Sequence, residues 1–344
     1  MKVWNGYQKG VNLGGWYSQC DYSKERFDHF IEKDDIFTIK GWGLDHVRLP
    51  VDYNLVETEQ GEYIEEGFQR IQKVIDWCGE AGLNLILDLH KTFGYSFDKG
   101  EKQEGFFESA AYQERFCCLW EQFARHFGSI GERVSFELLN EVTDKSVSAI
   151  WNNIADRCIK RIRAIAPSVK ILVGSYWHNS VSAVKDLSMP QDENIIYNFH
   201  CYSPMVFTHQ GAPWVDNMPH EFRFAFDSSY QAYLDAAASL GYSIDSPGFA
   251  VQSDLNKPLG SEFFEADFAE AIQVAEERGV MLYCGEYGVI DRADPVDALN
   301  WYKAINAVFE AHNIGRAAWS YREMDFGLSD AHMAPVLKEI LKYL

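Results

Sequence analysis

Glu141, in VSFELLNEV, and Glu286, in MLYCGEYGV, each close an apolar run that reads as a buried strand. An ionisable group at such a place is costly unless it has a partner or a chemical role. Two carboxyls facing one cavity can have such a role. A protonated one gives its proton to a leaving oxygen while an ionised one attacks an anomeric carbon, the chemistry of glycosidic bond cleavage. Either glutamate alone reads as a cap or a surface ion pair. What decides is whether the chain carries both to one rim.

The order along the chain is strand then helix, repeated. Strands are expected at residues 10–16, 44–50, 83–90, 134–141, 169–175, 194–202, 280–286 and 314–321. Helices are expected at 34–41, 67–82, 110–127, 146–166, 265–279 and 295–312, with a closing helix at 335–341. The run 83–90 (LNLILDLH) is nearly all apolar, as a strand covered on both faces must be, and Phe68, Ile71, Ile75 and Cys78 share one helical face. Eight strands, each followed by helical material, predict an α/β fold, a (β/α)8 TIM barrel over residues 1–344. The helix after strand five is the poorest, about two turns within 179–189. The connection 203–262 is too long for a bare loop. With a helical stretch near 229–240, it is expected to be an inserted subdomain after strand 6 that lies over the barrel mouth.

In such a barrel the functional face is the carboxyl end of the strands. The residues among the last of the expected strands, or just past them, are Arg48, His90, Asn140 with Glu141, Trp177, His200 with Tyr202, Glu286 and Trp319. One or two polar or aromatic residues there would be caps; this many at one relative position point to a lined site. Asn140 is placed to bond a sugar 2-hydroxyl. Arg48 would keep the attacking carboxylate ionised, Tyr202 is a candidate to bond it, and His200 to bond the acid or a hydroxyl. Trp319 at a rim reads as a platform for the apolar face of a pyranose, which Trp16, Trp177, Trp214, Phe207 and Tyr95 would extend along a cleft.

With 51 acidic against 31 basic residues the formal charge is -20, which repels nucleic acid and anionic membranes but leaves a neutral sugar unaffected. No run approaches the ~20 apolar residues of a membrane span, and the first residues lack a signal-peptide core. A start at Met1 fits a cytoplasmic protein or a secreted one whose leader is removed, so location stays open. The seven cysteines are odd in number, form no CxxC, and mostly sit in apolar runs, which favours reduced core thiols.

The glycine patterns exclude other chemistries: there is no GxGxxG, no GxxxxGK[ST] and no GxSxG. His90 and His200, with Asp88 and Glu286, raise a metal-site reading, but HExxH is missing and Arg48 would add a competing cation. No metal and no cofactor are expected. A sugar-binding protein on a degenerate barrel is a further alternative, disfavoured because the whole polar set is present.

These motifs resemble a known family. GVNLGGW, GWGLDHVRLPVDYN, LILDLH, VSFELLNEV, IIYNFHCYSPMVFTHQGAPW, LYCGEYGVI and AAWSYREMDFGL are similar to glycoside hydrolase family 5, within it to the endoglucanase C type of cellulolytic clostridia. The resemblance covers nearly the whole barrel. It implies a net-retaining enzyme with Glu141 as general acid/base and Glu286 as nucleophile, supported by Arg48, His90, Asn140, His200, Tyr202 and Trp319. The implied activity is that of an endo-β-1,4-glucanase on soluble β-linked polysaccharides or oligosaccharides, with a monomer expected. KTFGYSFDKG after His90, SYWHNS after strand five and the insertion depart from that type. A β-mannanase, exo-1,3-glucanase or β-glucosidase of the same family therefore stays as an alternative.

Overall fold

The computed structural model describes every residue except 99 and 102. Eight strands, β1 Lys9–Asn12, β2 His46–Asp52, β3 Asn84–Lys91, β4 Val134–Glu137, β5 Ile171–Gly174, β6 Ile195–Cys201, β7 Met281–Tyr287 and β8 Gly315–Ala318, pair in parallel and in chain order. The pairing of β8 with β1 closes the sheet, giving the expected (β/α)8 barrel.

Parallel neighbours need crossovers. Helices Lys33–Gly41, Glu65–Ala81, Ala110–Phe127, Ser148–Ile165, Ser261–Arg278 and Pro295–His312 supply them around most of the barrel. The helix Glu65–Ala81 buries Phe68, Ile71, Val74, Ile75 and Cys78 along one stripe and stops at Gly82, whose φ of 71° an L side chain would resist. Between β5 and β6 the expected two turns are a short 3-10 helix, Val181–Asp186.

The barrel interior changes character along its axis. Towards the strand starts, Tyr7, Ile86, Leu172, Ile196, Tyr283 and Ala317 form an apolar layer, and Trp4 stacks on Tyr7 at 4.1 Å beneath it. Further along the strands the buried residues include the polar set Asn12, Arg48, Asp88, Glu137 and Asn198. Polar groups so deep need one another or a ligand, which marks the carboxyl end as the working face.

The insertion after β6 carries the helices Met205–Thr208, Tyr230–Ser239 and Pro247–Ala250. Its first part stays at the rim, where His209 meets Tyr202 edge-on at 5.1 Å. Its later part packs outward, with Phe249 against Phe263 of the next helix at 5.4 Å. The segment is thus split between mouth and flank, where a cover over the mouth was expected. All seven cysteines are free, five of them buried. Among the described residues no helix is long and apolar enough to cross a membrane.

Candidate active site

Glu286 reaches the cavity through an irregularity. The β6–β7 register shifts at Phe199/His200, and Gly285 stands where a Cβ would come within 2.8 Å of Asn198 Oδ1 and 2.9 Å of His200 Nε2. Glycine at 285 therefore lets two polar side chains crowd in beside Glu286. Its carboxylate accepts from Arg48 Nη1 at 2.7 Å and from the Tyr202 hydroxyl at 2.9 Å.

Arg48 is fully buried and commits its whole fork. Nε and Nη2 donate to the two oxygens of Glu137 at 2.7 and 2.8 Å, Nη2 also to Asn140 Oδ1 at 2.9 Å, and Nη1 to Asn12 Oδ1 at 2.9 Å. Asp88 Oδ2 lies 3.0 Å from Nη2. One cation thus serves three carboxylates, Asp88, Glu137 and Glu286. Burial, against the pull of Arg48, pushes Asp88 up to about 7 and raises Glu137 as well. A proton taken up by Asp88 relieves part of the excess negative charge.

Glu141 is held differently. β4 ends at Glu137, so Glu141 stands beyond the strand rather than on its last residue, with a backbone φ of 40°. Side chains other than glycine resist that region by roughly 1–2 kcal/mol. The Tyr95 hydroxyl donates to the Glu141 carbonyl at 2.6 Å and accepts from the Thr143 N–H at 3.0 Å. Tyr95, expected as part of a sugar platform, is instead a buried strut beneath the turn. The carboxylate faces two imidazoles: Oε1 is 2.8 Å from Nδ1 of His200 and Oε2 is 2.8 Å from Nδ1 of His178. An ionised carboxylate only accepts, so both Nδ1 atoms donate to it. Burial opposes ionisation of Glu141, but the bonds from His178 and His200 outweigh it and hold the carboxyl below the usual range.

The two glutamates converge. A carboxylate oxygen of each and a ring nitrogen of His200 lie within 4.8 Å of one another. His200 Nδ1 is 3.6 Å from Glu286 Oε2, so the imidazole stands between the pair. Could this trio hold a metal ion? Both oxygens of each carboxylate already accept from N–H or O–H donors, and one of those donors is the Arg48 cation, which suits a divalent ion poorly.

Trp319 follows β8 with its ring parallel to His90, centroids 5.7 Å apart. Gly14 makes room for it, since a Cβ there would sit 2.8 Å from the indole. His90 Nδ1 lies 2.6 Å from Asp88 Oδ2, and burial pushes this histidine down to about 4. Trp177 and Trp214 are about half exposed. Trp16 and Phe207 are not platform residues: both are enclosed in the hydrophobic core, Trp16 stacked on Tyr17 and Phe207 tilted against Phe226, so neither offers a face to a sugar. Of the divergent segment 91–100, residue 99 lies outside the described residues.

The sequence reading missed three groups. Glu137 has no place in it, and Asp88 enters only as a metal candidate, although both are charged residues inside apolar strands at the inward parity of the rim residues. His178 is the third; the left-handed turn that carries it has no glycine to announce it.

A parallel barrel with two carboxylates converging at its carboxyl rim among a tryptophan, an arginine and histidines defines a glycoside hydrolase site. The profile described as "Cellulase (glycosyl hydrolase family 5)" matches residues 4–325. The chain belongs to that family. It is 48% identical over 311 residues, 90% of this chain and 84% of its relative, to "Cellodextrinase A" of Ruminococcus flavefaciens. It is 36% identical over 343 residues, 98% of each chain, to "Endoglucanase C" of Acetivibrio thermocellus. The fold is similar to the crystal structure of endoglucanase Cel5A from Thermotoga maritima, with a TM-score of 0.75, 23% identity, and 98% of this chain and 97% of that one covered.

Proposed function

We propose that this protein is a retaining endo-β-1,4-glucanase that cuts soluble β-glucans and cello-oligosaccharides by double displacement, with Glu286 as nucleophile and Glu141 as general acid/base. The observation that carries the reading is the approach of the two carboxylates, whose oxygens come within 4.8 Å. Retaining enzymes place their carboxyls about 5 to 5.5 Å apart, and inverting ones about 6.5 to 9.5 Å to admit a water. The names of the two relatives, an endoglucanase and a cellodextrinase, support a β-1,4-glucan substrate of modest length.

The surroundings of the two acids suit different roles. Arg48 and Tyr202 donate to Glu286 and stabilise the charge it needs for attack on the anomeric carbon. Glu141 shares hydrogens with imidazoles that can return one to it. When a sugar displaces water from the cavity, the separated charges of a carboxylate and an imidazolium become costlier, which favours the proton on Glu141. Glu141 then protonates the leaving oxygen as Glu286 forms the glycosyl ester. In the second half the Glu141 carboxylate takes a proton from the incoming water, and C1 returns to its starting configuration. Asn140, turned by Arg48, is the candidate for the 2-hydroxyl.

Product analysis on barley glucan, carboxymethyl-cellulose, cello-oligosaccharides, mannan and laminarin tests the substrate class. Rapid cleavage of the first three supports the proposal. A preference for mannan or laminarin would overturn the assigned specificity.

A further inference from the structure

We propose that His178 is a positioning residue for proton delivery by Glu141, an inference that rests on the acid/base role given to that glutamate above. His200 stands between the two carboxylates and bonds Oε1 of Glu141, so Oε1 lies on the Glu286 side of the cavity. Oε2 is held at 2.8 Å by His178, whose side chain is half exposed, which puts this oxygen on the solvent side of the carboxyl and makes it the one to serve a departing sugar. With both oxygens fixed, the carboxyl plane cannot swing. With His200 alone it pivots about one bond, and the acid hydrogen loses its aim at the leaving oxygen.

The backbone around His178 is built for this hold. Trp177, His178 and Asn179 have φ values of 50°, 55° and 54°, three consecutive L residues in the left-handed region. Such conformations persist where their surroundings fix them and concentrate at functional sites. The His178 N–H donates to the Val142 carbonyl at 3.1 Å, which ties the turn to the residue after Glu141. Asn179 Nδ2 lies 3.4 Å from Nε2 of His200. One short turn thus presents the first imidazole and braces the second. Exposed Trp177, with Lys145 Nζ 5.1 Å from its ring, shares the turn and places an aromatic surface beside the same exit.

Loss of aim at the leaving oxygen penalises only substrates that need a proton. His178→Ala, His178→Asn and Glu141→Ala would be assayed on a series of aryl cellobiosides from 2,4-dinitrophenyl to phenyl, and on cellotetraose. For His178→Ala the expected result is a loss in kcat/KM of about 10-fold or more on phenyl cellobioside and cellotetraose, with a change under about 2-fold on the dinitrophenyl substrate. His178→Asn should recover part of the loss, because its amide N–H can donate to Oε2. Equal losses on all substrates, or no loss on any, would overturn the role of His178. Glu141→Ala separates the two levels. If that variant shows no leaving-group dependence, the acid assignment itself is wrong; if it shows a steep one and His178→Ala does not, only the inference about His178 falls.

Discussion

Arg48 donates Nη1 to Oε1 of Glu286 at 2.7 Å from a position with no solvent exposure, and its remaining donors are taken by Glu137, Asn12 and Asn140. It is at once a donor to the Glu286 carboxylate and the centre of a buried polar layer. Removing it leaves carboxylates in the barrel without their counter-charge. Arg48→Met should therefore cost about 3–5 kcal/mol of stability, read from urea unfolding, as well as nearly all turnover. A variant as stable as the parent would show that the layer is not organised around Arg48.

Glu141→Ala should lose its acid catalysis yet leave the nucleophile in place. With a dinitrophenyl glycoside the first step proceeds, and the glycosyl-enzyme then waits for a water that no base activates. Added azide, which needs no base, should raise the rate and yield a β-glycosyl azide, identified by mass spectrometry and NMR. An α-azide, or no response to azide at any concentration, would contradict the assignment.

The tryptophans divide into two classes by exposure. Trp177→Ala and Trp214→Ala, at half-exposed positions, should raise KM several-fold on cello-oligosaccharides while shifting stability by less than about 0.5 kcal/mol. Trp16→Ala and Phe207→Ala, within the core, should instead cost about 3–5 kcal/mol. Steady-state kinetics paired with denaturant unfolding would separate these outcomes.

Why these rings were hard to sort from sequence has a physical reason. Parallel strands buried on both faces are apolar runs with abrupt ends, so the barrel and its rim residues were legible from LDLH, FELLNE and YCGE. Proximity to a strand end does not fix where a side chain points, so Trp16 looks like Trp319 in one dimension and packs inward in three. Glu141 shows the limit at finer grain: it was readable as a rim acid, but not as a residue beyond the strand, supported by Tyr95. His178 was the least legible, because an L residue in the left-handed region leaves no compositional mark. Asp88 and Glu137 did leave one, charge inside a hydrophobic run, whose partner becomes evident only when Arg48 is placed beside them.

Stability should carry a pH signature of Asp88. Burial pushes its pKa up to about 7, whereas an unfolded aspartate titrates near about 3.9. Between those values the native state binds the extra proton, so this residue's contribution falls as pH rises from about 4 to 7. His200 acts in the same sense at higher pH. Burial lowers its proton affinity, Glu286 and Glu141 raise it more, and the stabilising proton present below about 6.5 is lost as pH climbs through the raised native value. The difference in Tm between Asp88→Asn and the parent should therefore grow in favour of the variant from about pH 4 to 7, measured by scanning calorimetry. A pH-independent difference would place the Asp88 titration elsewhere.

Glu286 is assigned to attack carbon across a cavity that it shares with Glu141, and trapping the covalent intermediate reads that attack at the atom concerned. The enzyme would be incubated with 2,4-dinitrophenyl 2-deoxy-2-fluoro-β-cellobioside, then digested and sequenced by tandem mass spectrometry. A single fluorocellobiosyl ester on Glu286 is expected, with one equivalent of dinitrophenol released in a burst. A label on any other residue, or steady release of dinitrophenol with no label at all, would contradict the assignment.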